Sequence, residues 1–572
     1  MMKNDNSDHS TKEPTLPTAD RVYRGGPIIT MDPEVPRTTA VAVANGRIIA
    51  VGAADCDDVT TPATEVVDLD GRTLIPGFHD AHAHPVLGGM GLMGCNLDDI
   101  HGFDAYLERI RTYAESRPQA DWIIGSGWYG HVFEGGFPHR RDLDTVVGDR
   151  PAVFTSHDAH GVWADTAALE LAGITRDTPD PDGGRIVRDA DGEPTGMLVE
   201  SAAELVTALV PPTTADDVEH ALLDAQRYFH SLGIVGWQDA GVGVLTGSPH
   251  DTFPPYVSLA RRGEFSSKVT GALWWDRTVP FADQIATISD RRDQVEAIDS
   301  DRAVGGLQVT TVKIMLDGVC ENLTGALKRA YRGHDHDHGL LMFEAEELNE
   351  IVGGLEERGF SIHIHAVGDR ALELAVDALT QNGAPAPGRR HQIAHLDIVD
   401  RTDLTRMADN GLIANVQPLW ARNDSVLVDT KLPLLHDDQQ ANHFVFGSMR
   451  NSGVKLSFGS DWPVSSPDPI WGLHVAVNRT APHHDPHGQD DVAQNDPLLK
   501  EEALTVAEAL RAYTFDAAYA NGYDDVSGSI AVGKSADFVV LDRDPFAVVA
   551  ADLGDLTVQM TVSAGDVVYQ RS

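Results

Sequence analysis

The 572-residue sequence predicts an α/β protein: a (β/α)8 barrel of the TIM type with a small composite β-sandwich built from both chain ends. Three observations support this fold class. Apolar strand-like runs alternate with helical patterns through the middle of the chain. Turn-separated β-rich runs occupy both ends, and chemically reactive side chains stand where several of the middle strands end, which is where a barrel of this type carries its site.

Eight strand-like runs define the predicted barrel, each short, apolar and separated from the next by helical periodicity. A helix over 369–383 lies between the strands that end near His365 and His395, and that spacing suits one βαβ unit. The eight runs are residues 74–84, 233–240, 269–275, 309–317, 360–366, 391–397, 411–418 and 454–461.

The chain ends have a different character. Asn45-Gly46 and Asp70-Gly71 are strong hairpin signals between short β-rich runs. The C-terminal "GSIAVGKSADFVVLD" likewise consists of short β-rich runs separated by turn residues. The polar residues before Arg21 predict a disordered tail. We therefore predict a tail at 1–20, a sandwich from 21–76 and 528–572, a barrel from 77–527, and an inserted subdomain at about 86–230.

The charge balance is strongly acidic. The chain has 87 Asp and Glu against 44 Lys and Arg, a formal charge of −43, and only nine of the basic residues are lysines. Self-repulsion of this size is tolerated in concentrated salt, which screens it. We expect a halophilic, cytoplasmic protein with no nucleic-acid partner and no membrane association, and a homodimer stays open. The three cysteines form no C-x-x-C pair.

The stretch "LIPGFHDAHAHP" carries the first candidate site. His82 and His84 are two residues apart on a strand, so their side chains point the same way. Two imidazoles aimed at one spot are good partners when they share a cation, and histidine is the commonest metal ligand near neutral pH. A pair of ordinary surface histidines is the alternative interpretation, and the remaining ligands must come from other strands.

Further candidate ligands stand near the ends of four other predicted strands. Lys313 lies within an apolar strand, where an unpaired ammonium is costly, and Asp317 follows on the same face. The fifth strand ends in His365, the sixth in His395 and the eighth in Asp461. Each residue alone has a structural explanation, but their repetition at successive strand ends favours a metal site.

These motifs resemble the amidohydrolase superfamily and, more narrowly, the family that includes N-substituted formamide deformylases. The resemblance runs from "GRIIAVG" to "GKSADFVVLD" and rests on "PGFHDAHAH", "GSGWYGHVFEGG", "KIMLDG", "HAVGDRA", "IAHL" and "FGSDWPVSSPDP". His79 departs from it, because a small aliphatic residue is usual there, and it is left outside the site.

The resemblance implies one or two divalent ions, with zinc the first expectation, and a hydrolase acting on a non-peptide C–N bond of a small molecule. His82, His84 and Asp461 would hold one ion, His365 and His395 a second, and a carboxylated Lys313 would bridge them. Asp461 would move the catalytic proton. His363 points the same way as His365 but lies deeper, and its role stays open.

Three other functions remain in view. A deaminase of the same superfamily usually has a glutamate three residues after the fifth-strand histidine, where this chain has Gly368. The "GMGLMG" run matches a dinucleotide-binding pattern, but the strand before it carries a proline and metal-type histidines. A non-catalytic metal-binding scaffold would lack ligands. In the inserted subdomain, Trp128 and His160 are the candidate substrate contacts.

Overall fold

The computed structural model describes residues 17–98, 100, 102–133, 136–157, 161–181, 184–211, 213–244, 251–299 and 301–572. Most of the predicted tail, residues 1–16, lies outside them. The strands are β1 (Arg21–Ile29), β2 (Arg37–Ala44), β3 (Arg47–Val51), β4 (Glu65–Asp68), β5 (Thr73–Pro76), β6 (Phe78–Ala83), β7 (Cys95–Asn96), β8 (Ile123–Trp128), β9 (Ala152–Ser156), β10 (Gly161–Ala164), β11 (Gly184–Arg188), β12 (Pro194–Glu200), β13 (Ile234–Val242), β14 (Lys268–Trp274), β15 (Gly306–Met315), β16 (Ser361–Ala366), β17 (Gln392–His395), β18 (Ile413–Val416), β19 (Lys455–Phe458), β20 (Phe538–Leu541), β21 (Val558–Ser563) and β22 (Asp566–Gln570).

Helices fill most of the connections between these strands. They are α1 (Ala53–Val59), α2 (Pro85–Met93), α3 (Phe103–Ser116), α4 (Arg140–Val147), α5 (Thr166–Leu171), α6 (Glu204–Thr207), α7 (Ala215–Ser231), α8 (Phe253–Arg262), α9 (Phe281–Glu296), α10 (Ala345–Glu357), α11 (Asp369–Thr380), α12 (Arg401–Asp409), α13 (Asp437–Gln440), α14 (Phe446–Asn451), α15 (Pro469–Asn478), α16 (Asp491–Asn495), α17 (Val506–Tyr513) and α18 (Phe515–Ala520). None of the described helices is long and apolar enough to cross a membrane.

The predicted barrel is confirmed. Strand β6 and strands β13 to β19 form one parallel sheet in which each strand pairs with the next along the chain. The first and last strands meet through their ends, because Asp461 N donates to His82 O at 2.7 Å and His84 N donates to Trp462 O at 2.7 Å. The carboxyl ends of all eight strands therefore open at one mouth.

The first predicted strand is two strands, which corrects the single run 74–84. β5 belongs to the sheet of the chain ends, and β6 belongs to the barrel. The chain changes partner at Gly77, whose N–H donates to Asp537 O, while the next N–H, of Phe78, donates to Gly233 O. An uninterrupted apolar run in the sequence hid this change of sheet.

The chain ends combine as predicted into a composite sandwich. β1 to β5 and β20 to β22 form one eight-stranded sheet. The first half of β1 pairs with β4; after a bulge between Arg24 and Ile28, its second half pairs with β5. The sheet folds over an apolar core that takes Tyr23 and Val43 from one chain end and Phe538 and Val562 from the other. The edge strand β3 is held to the segment before β20, where Ile48 N donates to Lys534 O.

The inserted segment carries a third sheet of its own. β7, β8 and β9 run parallel, and β9, β10, β12 and β11 follow as antiparallel neighbours. Its core is separate from that of the barrel and includes Tyr106, Phe154 and Trp163. This sheet spans Cys95 to Glu200, a shorter range than the predicted insertion, because α2 and α7 at its two ends pack on each other.

Candidate metal centre

Three side chains from the first and last barrel strands converge at the mouth. His82 lies in β6, His84 follows it, and Asp461 lies three residues beyond β19. Asp461 Oδ1 is 3.1 Å from His84 Nε2 and 3.4 Å from His82 Nε2. His82 is 1% exposed and Asp461 6%, so water competes little for these atoms.

The donor set fits a divalent cation. Asp461 Oδ1 is buried and makes no hydrogen bond to any group in the part of the chain that the structure describes, although two imidazole nitrogens lie within 3.4 Å of it. Burial, and then the charge of Lys313, lowers the pKa of His82 well below its usual value. Neutral imidazole and ionised carboxylate are the forms that bind metals, so a cation at this point satisfies atoms that otherwise lack a partner.

His395 joins this group from the sixth strand. One ligand atom each from His82, His395 and Asp461 lie within 4.8 Å of one another. The His365 ring lies beside that of His395, with the centroids 4.3 Å apart. The structure thus brings five of the six predicted ligands together, and it places His395 with His82 and Asp461, in addition to its predicted partner His365.

Lys313, the sixth predicted ligand, reaches the same point from β15. Its Nζ is 3.4 Å from His82 Nε2, its side chain is 2% exposed, and no carboxylate among the described residues lies within 4 Å of it. Burial lowers the pKa of Lys313 to about 7, although the charge of Asp461 acts in the opposite direction. A lysine in this position can be a neutral amine near neutral pH.

Two imidazoles are oriented from behind by hydrogen bonds. Asp317 Oδ1 accepts from His365 Nδ1 at 3.0 Å, and Gln417 Oε1 accepts from His395 Nδ1 at 2.9 Å. With Nδ1 as the donor in each ring, Nε2 is left to face the mouth as a ligand. Trp420 also stacks on His395, with an interplanar angle of 4° and the centroids 5.6 Å apart.

His363 lies beneath the site, as its position one layer deeper predicts. Its Nε2 is 3.1 Å from His82 Nδ1, and its ring is fully buried. If His82 binds a cation through Nε2, its Nδ1–H donates to His363, which then acts as a support for the ligand. His365, nearer the mouth, stays a predicted ligand.

Asp80 ties the first barrel strand to the last. Its carboxylate accepts from His82 N at 3.0 Å, from Ser460 N at 3.0 Å and from Ser460 Oγ at 2.5 Å. Burial raises the pKa of Asp80 to about 7, and these hydrogen bonds oppose that rise. By fixing both strand ends, Asp80 sets where His82 and Asp461 meet.

The backbone is strained at two of the candidate ligands. His395 has φ 76° and Asp461 has φ 60°, both in the left-handed region that non-glycine residues avoid. Such conformations cost about 1–3 kcal/mol each and persist where the surroundings impose them, often at functional sites.

The two candidate substrate contacts have different outcomes. Trp128 is 3% exposed, packs edge-on against Phe133 in the core of the inserted subdomain, and donates its indole N–H to Phe154 O at 2.8 Å. This position favours a packing role, and a contact of Trp128 with substrate stays a prediction. His160 lies outside the described residues.

Several residues that shape the site were absent from the predicted set, among them Asp80, Gln417 and Ser460. Beneath them, Gln238 and Asn415 both donate to Ala81 O, at 2.9 Å and 2.8 Å. For Gln238 and Asn415 the signal in the sequence was an amide side chain inside an otherwise apolar strand, because a buried amide must be hydrogen-bonded.

Comparison with known proteins adds a family. A family profile described as "Amidohydrolase family" matches residues 65–569. The putative amidohydrolase YtcJ of Bacillus subtilis is 31% identical over 555 residues, which cover 96% of this chain and 99% of the relative. The N-substituted formamide deformylase of Arthrobacter pascens is 28% identical over 560 residues, which cover 95% and 97%.

Solved structures share the fold. An uncharacterized metal-dependent hydrolase from Pyrococcus horikoshii superposes with a TM-score of 0.69 at 23% identity, covering 93% of this chain and 99% of that one. A zinc-bound adenosine deaminase from Xanthomonas campestris gives a TM-score of 0.51 at 15% identity, with coverages of 96% and 93%. At these identities the likeness speaks for the fold alone.

Proposed function

The chain belongs to the amidohydrolase family, and we propose that it hydrolyses a non-peptide carbon–nitrogen bond of a small molecule: an amide, formamide or cyclic amide. The observation that carries this proposal is the convergence of His84 with the buried Asp461 and His82 on one point, with Lys313 beside them. The names of two full-length relatives, an amidohydrolase and a formamide deformylase, favour the same bond type.

The proposed cofactor is one or two divalent ions, zinc first, because imidazole and carboxylate ligands suit Zn²⁺. His82, His84 and Asp461 would hold one ion, and His365 and His395 a second. Lys313, carboxylated by carbon dioxide, would bridge them. A carbamate would turn the buried amine into an anion, which accounts for a lysine that has no carboxylate partner among the described residues.

Asp461 has the catalytic role among the chain's own residues, and Asp317 and Gln417 have positioning roles. A divalent ion in this site supplies a Lewis acid for the substrate carbonyl and lowers the pKa of water to about 7. Asp461 accepts the proton of the attacking water and later donates it to the leaving amine. Asp317 and Gln417 hold His365 and His395 in one orientation.

Deamination is the nearest alternative, and the structure offers it little support. The deaminase pattern needs a glutamate where this chain has Gly368. A Cβ at Gly368 would lie 2.0 Å from Ala326 O, so no side chain fits there without a backbone shift. Gly368 N also donates to Asp317, the residue that orients His365.

The test is a substrate panel assayed in high salt with added zinc. N-formyl amines, cyclic amides and acyl amino acids are offered to the metal-loaded protein, and release of amine is measured. We expect turnover of at least one amide class, lost on chelation and restored by the metal. Ammonia release from aminopurines or aminopyrimidines, with no amide hydrolysed, would contradict the proposal and favour deamination.

A further inference from the structure

A cluster of polar and aromatic residues joins the inserted subdomain to the barrel mouth. It consists of Asp98, Tyr129 and His157 from the insert and His487 from the segment after α15; we call it the junction cluster. Asp98 Oδ1 lies 2.9 Å from His157 Nδ1, and His487 Nε2 lies 2.9 Å from Asp98 O. Tyr129 stacks on His157 with the centroids 4.2 Å apart and lies 5.0 Å from His487.

The position of Asp98 is built into the "GSGWYG" motif. Gly127 has φ 92°, and a Cβ there would lie 2.3 Å from Asp98 Oδ1. Any other residue at 127 would therefore displace the carboxylate that holds His157. Tyr129 and His157 directly follow the parallel strands β8 and β9, and Asp98 lies two residues after β7. All three therefore lie at the carboxyl ends of these strands, the edge of an α/β sheet where ligands bind.

The junction cluster is connected to the metal centre by the barrel segments that reach it. Trp420 stacks on His395, and two residues later Arg422 lies 2.9 Å from Asp485 and 3.3 Å from Asp424. His487, the barrel's contribution to the cluster, follows Asp485 by two residues. Clefts between domains are favoured places for small-molecule sites.

His157 has the features of a substrate-contacting group. Asp98 engages its Nδ1, and Nε2 makes no hydrogen bond to any residue in the described ranges. Its side chain is still 26% exposed, whereas the neighbouring Trp128 is 3% exposed. An imidazole fixed by a carboxylate and an aromatic face can offer its remaining nitrogen to a ligand at little entropic cost.

The charges around this junction indicate what it would accept. The carboxylates of Asp98, Asp424 and Asp485 all lie close enough to Tyr129 to add to burial in raising the pKa of its phenol, and among the described side chains Arg422 pairs with two of them, Asp424 and Asp485. An anionic group entering here would meet three carboxylates against one guanidinium among the described side chains that the cluster and its neighbours contribute. Uncharged and cationic groups would not be repelled by these carboxylates.

We propose that the junction cluster is the specificity site for the substituent of the amide, with His157 touching the substrate and Asp98 acting as its positioning residue. The substrates would be uncharged or cationic amides, and amides that carry a carboxylate would be rejected. This inference rests on the proposed amide hydrolysis and names its substrate class.

The experiment uses three probes with the same scissile bond: N-benzylformamide and its para-carboxylate and para-aminomethyl derivatives. In the wild-type holoenzyme, kcat/KM for the carboxylate should be at least about tenfold below that of the other two. His157→Phe keeps a ring to stack on Tyr129 and removes the nitrogen. It should raise KM for N-benzylformamide about tenfold, with kcat within about twofold.

Two further variants sharpen the test. Asp98→Asn should reduce the discrimination against the carboxylate probe, because it removes one negative charge at nearly constant size. His220→Phe, at an exposed position on α7, is the matched control and should change neither constant. Metal content and Tm should be unchanged in all three variants.

The inference is overturned if the three probes are hydrolysed equally well, or if His157→Phe lowers metal content or leaves KM within about twofold. If the wild type hydrolyses none of the probes, N-benzylformamides are not its substrates, and the wider amide panel decides the proposed function separately. Binding of N-benzylformamide to the metal-loaded protein, measured by NMR, then decides the site: about tenfold weaker binding to His157→Phe supports it, and equal binding refutes it.

Discussion

Two buried lysines lie in neighbouring barrel strands and have opposite surroundings. Lys268 begins β14, and its Nζ is 2.6 Å from Asp537 and 3.1 Å from Ser535. Lys313 lies near the end of β15, with a histidine nitrogen at 3.4 Å and no carboxylate partner among the described side chains. Both are at most 2% exposed.

The two ends of β6 show the same contrast. His79, near its start, lies 2.9 Å from Ser527 Oγ, which donates to Asp537 at 2.8 Å, so His79 joins the paired cluster of Lys268. His82, near its end, faces Asp461 and Lys313. Burial is common to both clusters, and His79 Nδ1, like Asp461 Oδ1, has no hydrogen-bond partner among the described groups. What distinguishes the candidate centre is that several charged and ligand-type side chains converge on one point there.

The largest loss of activity is expected when Asp461 is substituted. Asp461→Asn keeps the size and one ligand oxygen but cannot accept a proton. General-base catalysis contributes about 10² to 10⁴ in rate, so kcat should fall at least about a hundredfold with metal still bound. Steady-state kinetics with metal analysis checks this, and the acidic limb of the pH–rate profile should vanish. Near-normal kcat with metal bound would place the proton transfer elsewhere.

Lys313→Ala tests the proposed bridge. Loss of the bridging ligand should lower kcat by more than about tenfold, and short carboxylic acids should restore part of it by spanning two metal ions. Electron density should show a carboxylated amine in the wild type. A bare amine at full metal occupancy would contradict the bridge.

Lys268→Met should act on stability alone. Breaking a buried ion pair leaves Asp537 uncompensated and costs about 3–5 kcal/mol, so chemical denaturation should show a lower free energy of unfolding. Metal content and kcat of the folded variant should stay at wild-type values. A loss of metal in Lys268→Met would remove the distinction between the two clusters.

Salt should stabilise the protein by screening charges at the surface, with little effect on either buried cluster. At about 1 M salt the Debye length is near 3 Å, which screens repulsion among exposed acids more than it weakens a buried pair. Tm should rise from low to molar KCl, while metal content stays constant. A flat Tm would contradict the halophilic interpretation.

Strand ends were predictable from the sequence because ligand-type residues follow apolar runs at βα spacing. All eight barrel strands were predicted in this way, the first of them extended wrongly into β5, and His82, His84, Lys313, His365 and His395 stay the predicted ligands at or near their ends. The partners of the buried polar side chains were not predictable, since they are residues distant in sequence. Neither the contact of Lys268 with Asp537 nor that of His79 with Ser527 leaves a local pattern.

In the inserted subdomain, too, contacts between distant residues could not be predicted from the sequence. Trp128 stands out in the sequence by size, yet the structure packs it into the core. Asp98 does not stand out, and its role depends on Gly127, twenty-nine residues later, which leaves space for its carboxylate. Contacts of this kind are set by tertiary packing, which local sequence patterns do not encode.

Convergence of ligand-type side chains, rather than burial, marks the candidate metal centre. The most direct test compares two histidines of one strand: His82→Ala and His79→Ala, each confirmed as folded by circular dichroism, and each analysed for bound metal after loading with zinc. We expect His79→Ala to retain the metal content of the wild type and His82→Ala to lose most of it. Equal metal content in the two variants would contradict the claim.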